Sequence, residues 1–288
     1  MKNIFSVLFI LLLFSSCDDF FDIVIEIDLP EHEPLLVVNS SNTVGQKWTA
    51  FVNYSKGALE NTESENVSDA QVKIYEGQTF VSELIYSELC NCYVSNEYPE
   101  RDKTYRIEAS HPSYPTAKAE VSVPVSVPLV SVTNRGVIVI DNKEFVAFDL
   151  EFEDPSAINY YELEVKTHPI LMPVSLNSND PSIENERDFD KVESSLFNDQ
   201  LFNNTNKVLS ISVYLENVSD SIIVVLNSVS EEYYLYETTR RLQNNGDGAL
   251  FFGAEPVNVF NSFLNDDELS AYGIFSVNVE NAEVVSLK

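Results

Sequence analysis

Histidine is scarce in this chain of 288 residues: His32, His111 and His168 are the full set. His111 and His168 each stand directly before a proline, which pushes the preceding backbone to extended geometry, so both read as the starts of loops. The sequence holds no HExxH, no GxSxG and no glycine-rich phosphate loop, so nothing announces a zinc protease, a serine-hydrolase elbow or a nucleotide site. A Ser-His-Asp set drawn from distant positions stays open, because triad members need not be neighbours in sequence. Basic residues are also few, 17 against 46 acidic ones, for a formal net charge of −29. Such a chain repels nucleic acid and anionic lipid headgroups. No apolar run reaches the ~20 residues of a membrane-spanning helix. Solenoid-type repeats and low-complexity segments are missing too.

The chain does carry a marked leader. Lys2 precedes an apolar stretch from Ile4 to Phe14, which reads as a signal peptide over residues 1–16. Ser15-Ser16-Cys17 then resembles a bacterial lipobox, in which Cys17 becomes the lipid-bearing first residue. Phe14 stands where an aliphatic residue is usual. Losing Lys2 leaves 16 basic against 46 acidic residues, a net of −30. More than one acyl chain on Cys17 makes a stable anchor. Asp18, Asp19 and Asp22 resemble the acidic export signals of Bacteroidota surface lipoproteins; the plainer alternative is a solvated acidic tether over 17–33. The address this predicts is the outer membrane, lipid-anchored and facing the exterior.

Hydrophobic residues at 44%, with 18 Phe and 14 Tyr, argue for folded cores. Period-two alternation gives the strands. Trp48, Ala50, Val52 and Tyr54 share one face, as do Ala70, Val72 and Ile74, then Tyr105, Ile107 and Ala109, then Ala119, Val121 and Val123. Pro124 and Pro128 break the pattern, since proline donates no ladder hydrogen bond. Six or seven short strands over residues 34–128 predict an immunoglobulin-like or transthyretin-like β-sandwich. A second β-rich domain is expected over 129–288. Phe148, Leu150 and Phe152 alternate there, as do Leu209, Ile211, Val213 and Leu215, and SIIVVLNSVS reads as a strand buried on both faces. One helix is expected over 230–242, with capping-box spacing at Ser228 and Glu231 and with Arg240 and Arg241 in its last turn. The Asn-, Asp-, Ser- and Pro-rich segment from Thr167 to Lys207 reads as a long loop, either a binding excursion or a surface insertion. The fold class is therefore mainly β with a single notable helix.

Cys90-Asn91-Cys92 is the remaining thiol pair. A regular strand would hold the two Cα atoms near the ~7 Å upper limit for a disulfide, and a tight turn at Asn91 would bring them closer. An oxidising envelope favours the disulfide; free thiols and a soft-metal site are the alternatives. Asp188 with Asp190, and Asp266, Asp267 and Glu268, could offer oxygens to calcium, against the alternative of a solvated acidic face. Beyond these possibilities no cofactor is expected, and whether any metal binds stays open. Phe251, Phe252, Phe260, Phe263 and Phe275 read mostly as core, with any exposed minority forming a docking patch.

Several stretches, in order, resemble one family of Bacteroidota lipoproteins catalogued as domain of unknown function 4249. They are IDLPEHEPLLVVNS, SDAQVKIYEG, YPERDKTYRIEASHPSYPTAKAEVSVP, LFNDQLFNNTNKVLSISVY, GALFFGAEPVNVFNSF and YGIFSVNV. Where that family has a Gly-rich turn, NDDELSAYGIF keeps only Gly273. The resemblance implies an envelope lipoprotein that partners a TonB-dependent outer-membrane receptor, and it brings no catalytic residues. The expected function is non-catalytic: an accessory that captures or presents a ligand, with the Thr167–Lys207 and Asn261–Tyr272 segments making contact. The cargo stays open. A free-standing adhesin or glycan-binding module is the alternative, and an envelope hydrolase the second.

Overall fold

The computed structural model describes residues 32–57, 60, 65–183, 194–214, 216, 220–245, 258–265 and 268–287. Hairpins follow one another along the first third of the chain: β1 (Leu36–Thr43), β2 (Thr49–Tyr54), β3 (Gln71–Glu76), β4 (Thr79–Ser87), β5 (Cys92–Val94), β6 (Thr104–His111) and β7 (Tyr114–Ser122). Next come β8 (Leu129–Ile140), β9 (Lys143–Glu153), β10 (Tyr160–Thr167), β11 (Leu176–Ser178), β12 (Ser194–Asn198), β13 (Asn206–Tyr214) and β14 (Ser221–Val229). The helix α1 (Glu231–Asn245), the short β15 (Leu264–Asn265) and β16 (Glu268–Leu269), and the long β17 (Tyr272–Ser286) complete the order. Eleven strands join as β12-β10-β14-β17-β1-β2-β5-β4-β3-β6-β7, and four form a second sheet, β11-β13-β9-β8. The protein is mainly β with one described helix, as the alternation predicts.

The inward residues build two cores. In the first, Trp48 is fully buried, edge-on to Tyr105 with ring centroids 4.9 Å apart and stacked on Phe275 at 6.0 Å. The alternating sets of β2, β3, β6 and β7 all point into it. The second gathers Phe148, Leu150 and Phe152 of β9 with Tyr161 of β10, Phe197 of β12 and Leu209 of β13. Burying one such aromatic contributes on the order of 2–3 kcal/mol.

β17 serves both cores. Its first half runs parallel to β1, from Val37↔Tyr272 to Thr43↔Asn278, and its second half pairs antiparallel with β14, from Ser228↔Val279 to Ser221↔Ser286. Val127 begins the second core close to the expected boundary at 128, but Phe263, Ala271, Phe275, Val277 and Val279 return to the first. Residues 129–288 therefore do not build one core alone; their last strand completes the N-terminal half. Gly273 makes this possible. At φ +121° it sits so close to β1 that a Cβ would fall 2.0 Å from Val38 O.

The segment 167–207 departs from the loop reading. It contains β11 and β12, and Val174, Leu176, Ile183, Phe197 and Phe202 are buried in the second core. Strands of three and five residues alternate too briefly to stand out against their Asn and Ser background. The helix also differs in its ends. Ser230, not Ser228, caps it, with Tyr233 N donating to Ser230 Oγ at 3.4 Å. Ser228 lies in β14, where its Oγ accepts from Val127 N at 3.2 Å. The helix runs on to Asn245, so Arg240 and Arg241 stand before its last turn.

Candidate functional site

Beneath α1, both faces of β10 are covered. Tyr161, Leu163 and Val165 point into the second core, and the opposite face carries Tyr160, Glu162 and Glu164 toward the helix side. Glu162 is 5% exposed. Its Oε1 accepts from Ser194 Oγ at 2.6 Å and its Oε2 from the Tyr233 hydroxyl at 2.9 Å. Arg241 donates to Ser194 O at 3.0 Å and to Ser194 Oγ at 2.8 Å, with Glu162 Oε1 a further 3.7 Å away. Burial pushes the Glu162 carboxyl above its ordinary range, only partly offset by the Ser194 and Tyr233 hydroxyls. Burial, then the charge of Glu162, raise the Tyr233 phenol. At the helix start, Tyr160 OH donates to Glu231 at 3.0 Å and its ring packs 4.8 Å from that of Tyr234. Burial and that carboxylate push Tyr160 up to about 12.

Ser194 gives its proton to the Glu162 carboxylate and receives from the Arg241 guanidinium, and both Ser194 and Arg241 border the cleft beside the cluster. The arrangement ties α1 to the sheet edge. The cleft, of about 460 Å³, opens between α1 and β12, lined by Ser195, Asn198, Leu201, Tyr234 and Leu242 among others. Its amide at Asn198 already donates to Tyr234 OH at 3.2 Å.

A second concavity of about 650 Å³ lies on the outer face of the four-stranded sheet, between Ile138, Ile140 and Ala147 on one side and Asn177–Pro181 on the other. Asp180 walls it, bonded to Lys207 Nζ at 2.7 Å and Ser182 N at 2.9 Å. Burial would raise Asp180, but these bonds outweigh it and hold the carboxyl below its ordinary value. Farther along the face Asp149 accepts from Ser210 Oγ at 2.8 Å and pairs with Arg135 at 3.0 Å. Glu151 accepts from Asn206 at 2.7 Å and Ser131 at 3.1 Å, which lower its pKa. Phe145 and Tyr214 pack 5.5 Å apart at the end of the row, and Lys143 Nζ covers the Tyr214 ring at 5.4 Å.

The nominated residues are placed unevenly. Cys90 and Cys92 are joined as a disulfide, with Asn91 at φ +50° and the Cα atoms 5.1 Å apart. Cys17, Asp18, Asp19, Asp22, Asp188, Asp190, Asp266 and Asp267 lie outside the described residues, as do Phe251 and Phe252. Glu268 is described only as backbone in β16. Among the described residues no group of three His, Cys, Asp or Glu is placed to hold a metal ion. Phe263 and Phe275 are fully buried, so the Asn261–Tyr272 segment packs on the first core through Phe263 and Ala271. His168 Nδ1 lies 3.1 Å from Ser221 Oγ, and His111 Nε2 lies 3.4 Å from Asp69. The Glu162 cluster was missed in the sequence because Glu162 occupies the polar half of an alternating strand. Its signal lay in the helix, where Tyr233, Glu237 and Arg241 recur at helical spacing.

The class of protein this defines is a mainly β molecule with two cores sharing one strand. The chain belongs to the family described as domain of unknown function (DUF4249), whose sequence profile matches residues 23–282. No curated protein matches. A solved structure, of a protein described as membrane-anchored from Corynebacterium diphtheriae, aligns with 70% of this chain and 55% of its own at 10% identity, with a TM-score of 0.21. Likeness of that size bears on neither fold nor role. No helix among the described residues is long and apolar enough to cross a membrane.

Proposed function

We propose that this protein is a non-catalytic lipoprotein of the outer-membrane surface that binds a partner, as an accessory or ligand-capturing subunit of a TonB-dependent receptor. The observation that carries this reading is exposed aliphatic surface on a strongly acidic chain: Ile170, Leu171 and Met172 on one turn, and Val137, Ile138 and Val139 on one hairpin. Grouped exposed apolar residues mark docking surfaces more readily than active sites. Anchoring through Cys17 raises the effective concentration of partners in the same membrane, so individual contacts can be weak.

Capture of the tagged protein from native membranes tests the receptor part. Co-recovery of a TonB-dependent barrel is the expected result, and repeated recovery without any such barrel sinks it. Fatty-acid labelling tests the anchor: label should enter the wild type and be lost in Cys17→Ser, and label persisting in that variant rules the lipid site out.

The glycan-binding alternative has one observation in its favour, the row of Asp149, Glu151, Ser210 and Asn206 ending at Phe145 and Tyr214. Lys143 covers one face of the Tyr214 ring, which leaves a poorer stacking platform. Glycan-array binding abolished by Tyr214→Ala would promote this reading over the receptor partner.

A further inference from the structure

The two groups of exposed aliphatic residues lie toward the same end of the strands. The β8–β9 hairpin turns through Asp141 and Asn142 at φ +49° and +63°, the geometry of a two-residue hairpin loop. Just before the turn Val137, Ile138 and Val139 are 56%, 38% and 68% exposed. After β10, Ile170, Leu171 and Met172 are 76%, 53% and 61% exposed. That turn is firmly built. Leu171 N donates to Thr167 O and Thr167 N to Met172 O, each at 2.8 Å, and Met172 N donates to Thr167 Oγ1 at 3.1 Å.

Strand register places both groups at the same pole. Thr167 pairs with Ile222, and Ile222 with Val285 near the end of β17. Ser126 bonds Asn281 and Asn134 bonds Ser286 O, each at 3.3 Å, so β8 advances beside β17 and its hairpin continues past that strand's end. β1 and β17 start together at the other end, where Val37 pairs with Tyr272. The fifteen residues of β17 separate the two ends by about 45 Å. β8 is also a free edge, hydrogen-bonded to β9 on one side. Residues 129–140 contain no Pro or Lys, the residues that commonly protect an edge. Bulges fall at Leu129/Ser131 and Asn134/Gly136, leaving Val137–Ile140 regular.

The geometry points to this pole as the docking surface for a partner protein: an extended, mainly uncharged segment adds as a strand to β8 over Val137–Ile140, with Ile170–Met172 as the second contact. This deepens the partner-binding reading and rests on it. Strand addition supplies affinity through main-chain hydrogen bonds and specificity through alternate side chains. The partner's charge follows from the surroundings. Arg135 pairs with Asp149 and Lys166 with Glu164, and Lys143 stands between Asp141 and Glu144, so no run of one sign borders the patch. A second copy fits less well, because each chain carries −29.

The test uses the full mature chain and a synthetic cyclised β-hairpin whose free edge alternates Val and Thr. Saturable binding is expected, with amide exchange slowed at residues 137–140. Val139→Lys and Ile170→Ser should each weaken it tenfold or more at unchanged melting midpoints, since both side chains lie in solvent. Leu89→Ser, at a 98% exposed position elsewhere, should leave it unchanged. Absence of binding, or binding that survives Val139→Lys, overturns the proposal. So does a wild-type dimer in sedimentation that Val139→Lys dissolves, which assigns the pole to a second copy. Co-sedimentation with neutral phosphatidylcholine vesicles that Val139→Lys abolishes overturns it in favour of lipid. In membrane capture, a receptor recovered equally by wild type and Val139→Lys overturns this surface and leaves the receptor reading intact. Hairpin binding without any receptor in the capture removes that reading and supports the surface.

Discussion

The two cores use the same strand chemistry but differ in what they bury beside it. Among the described residues, every buried carboxylate belongs to the second half: Asp154, Glu162 and Asp199. The first core buries hydroxyls and amides, such as Ser40 and Asn42, which bond each other at 2.9 Å. The difference follows from the connections. Tight hairpins tie much of the first half, so backbone groups are satisfied strand to strand. The second half has longer links at residues 154–159 and 199–205, whose amides need other acceptors. Asp154 accepts from Asn204 N and Asp199 from Asn159 N, each at 2.8 Å. Asp154 and Asp199 thus stand in for missing ladder partners.

The largest expected effect tests whether the two cores are separable at all. Gly273→Val forces a side chain onto the Val38 carbonyl at a backbone angle that valine rarely adopts. A cost of about 4 kcal/mol or more is expected, typical of strain at a special backbone position inside a packed interface. Trp48 is the one tryptophan and lies in the first core, so its fluorescence reports that half, while amide exchange along β10 and β13 reports the second. Because β17 is common to both, the two signals should fall together. A variant that loses the Trp48 signal and keeps β10 and β13 protected would show that the halves fold independently.

The carboxylate contrast predicts a smaller difference. Asp154→Ala leaves the buried Tyr161 hydroxyl, and Asn204 N, without their acceptor, at an expected cost of about 2–4 kcal/mol. Ser40→Ala, in the first core, removes a hydroxyl that donates to Thr49 O at 2.8 Å and should cost about 1 kcal/mol. Denaturant unfolding at matched slope checks both. Equal costs would mean that the polar groups of the two cores do the same structural job.

That contrast also separates what was legible in the sequence from what was not. The first core could be read position by position, because hairpin strands of six to nine residues alternate long enough to register: Val72 and Ile74, Tyr105 and Ile107, Ala119 and Val121 all point inward. The return of Phe263 and Phe275 to that core was invisible, since parallel pairing across more than two hundred residues leaves no local pattern. In the second half, nothing in the sequence marks Glu162 and Asp199 as buried, and only the helix above one and the loop beside the other show why they are. The exposed pole was half legible. PILMP is an apolar stretch inside a segment read as polar, and its place at the same end as Val137–Val139 depends on strand register.

Acidity gives the mildest test. Burial raises Asp154, Glu162 and Glu232, so their contribution favours the folded chain below the ordinary carboxylate range and fades as pH climbs through their raised folded values. Asp180 and Glu151 are depressed, so their contribution is present above the ordinary range and is lost as pH falls through their lower folded values. Self-repulsion of a chain at −29 acts with the first group at neutral pH. The melting midpoint should therefore rise between pH 7.5 and 5, on the order of 2–4 °C for each kcal/mol gained, then fall below pH 4. Calorimetry at fixed ionic strength checks the shape. Asp154→Asn and Glu162→Gln should flatten the rise, and Asp180→Asn should flatten the fall, because each removes a group whose charge state the folded chain shifts. A midpoint that drops steadily from pH 7.5 downward would mean that the buried acids of the second core are outweighed by the exposed pairs, and that the difference between the cores lies in geometry without a titratable consequence.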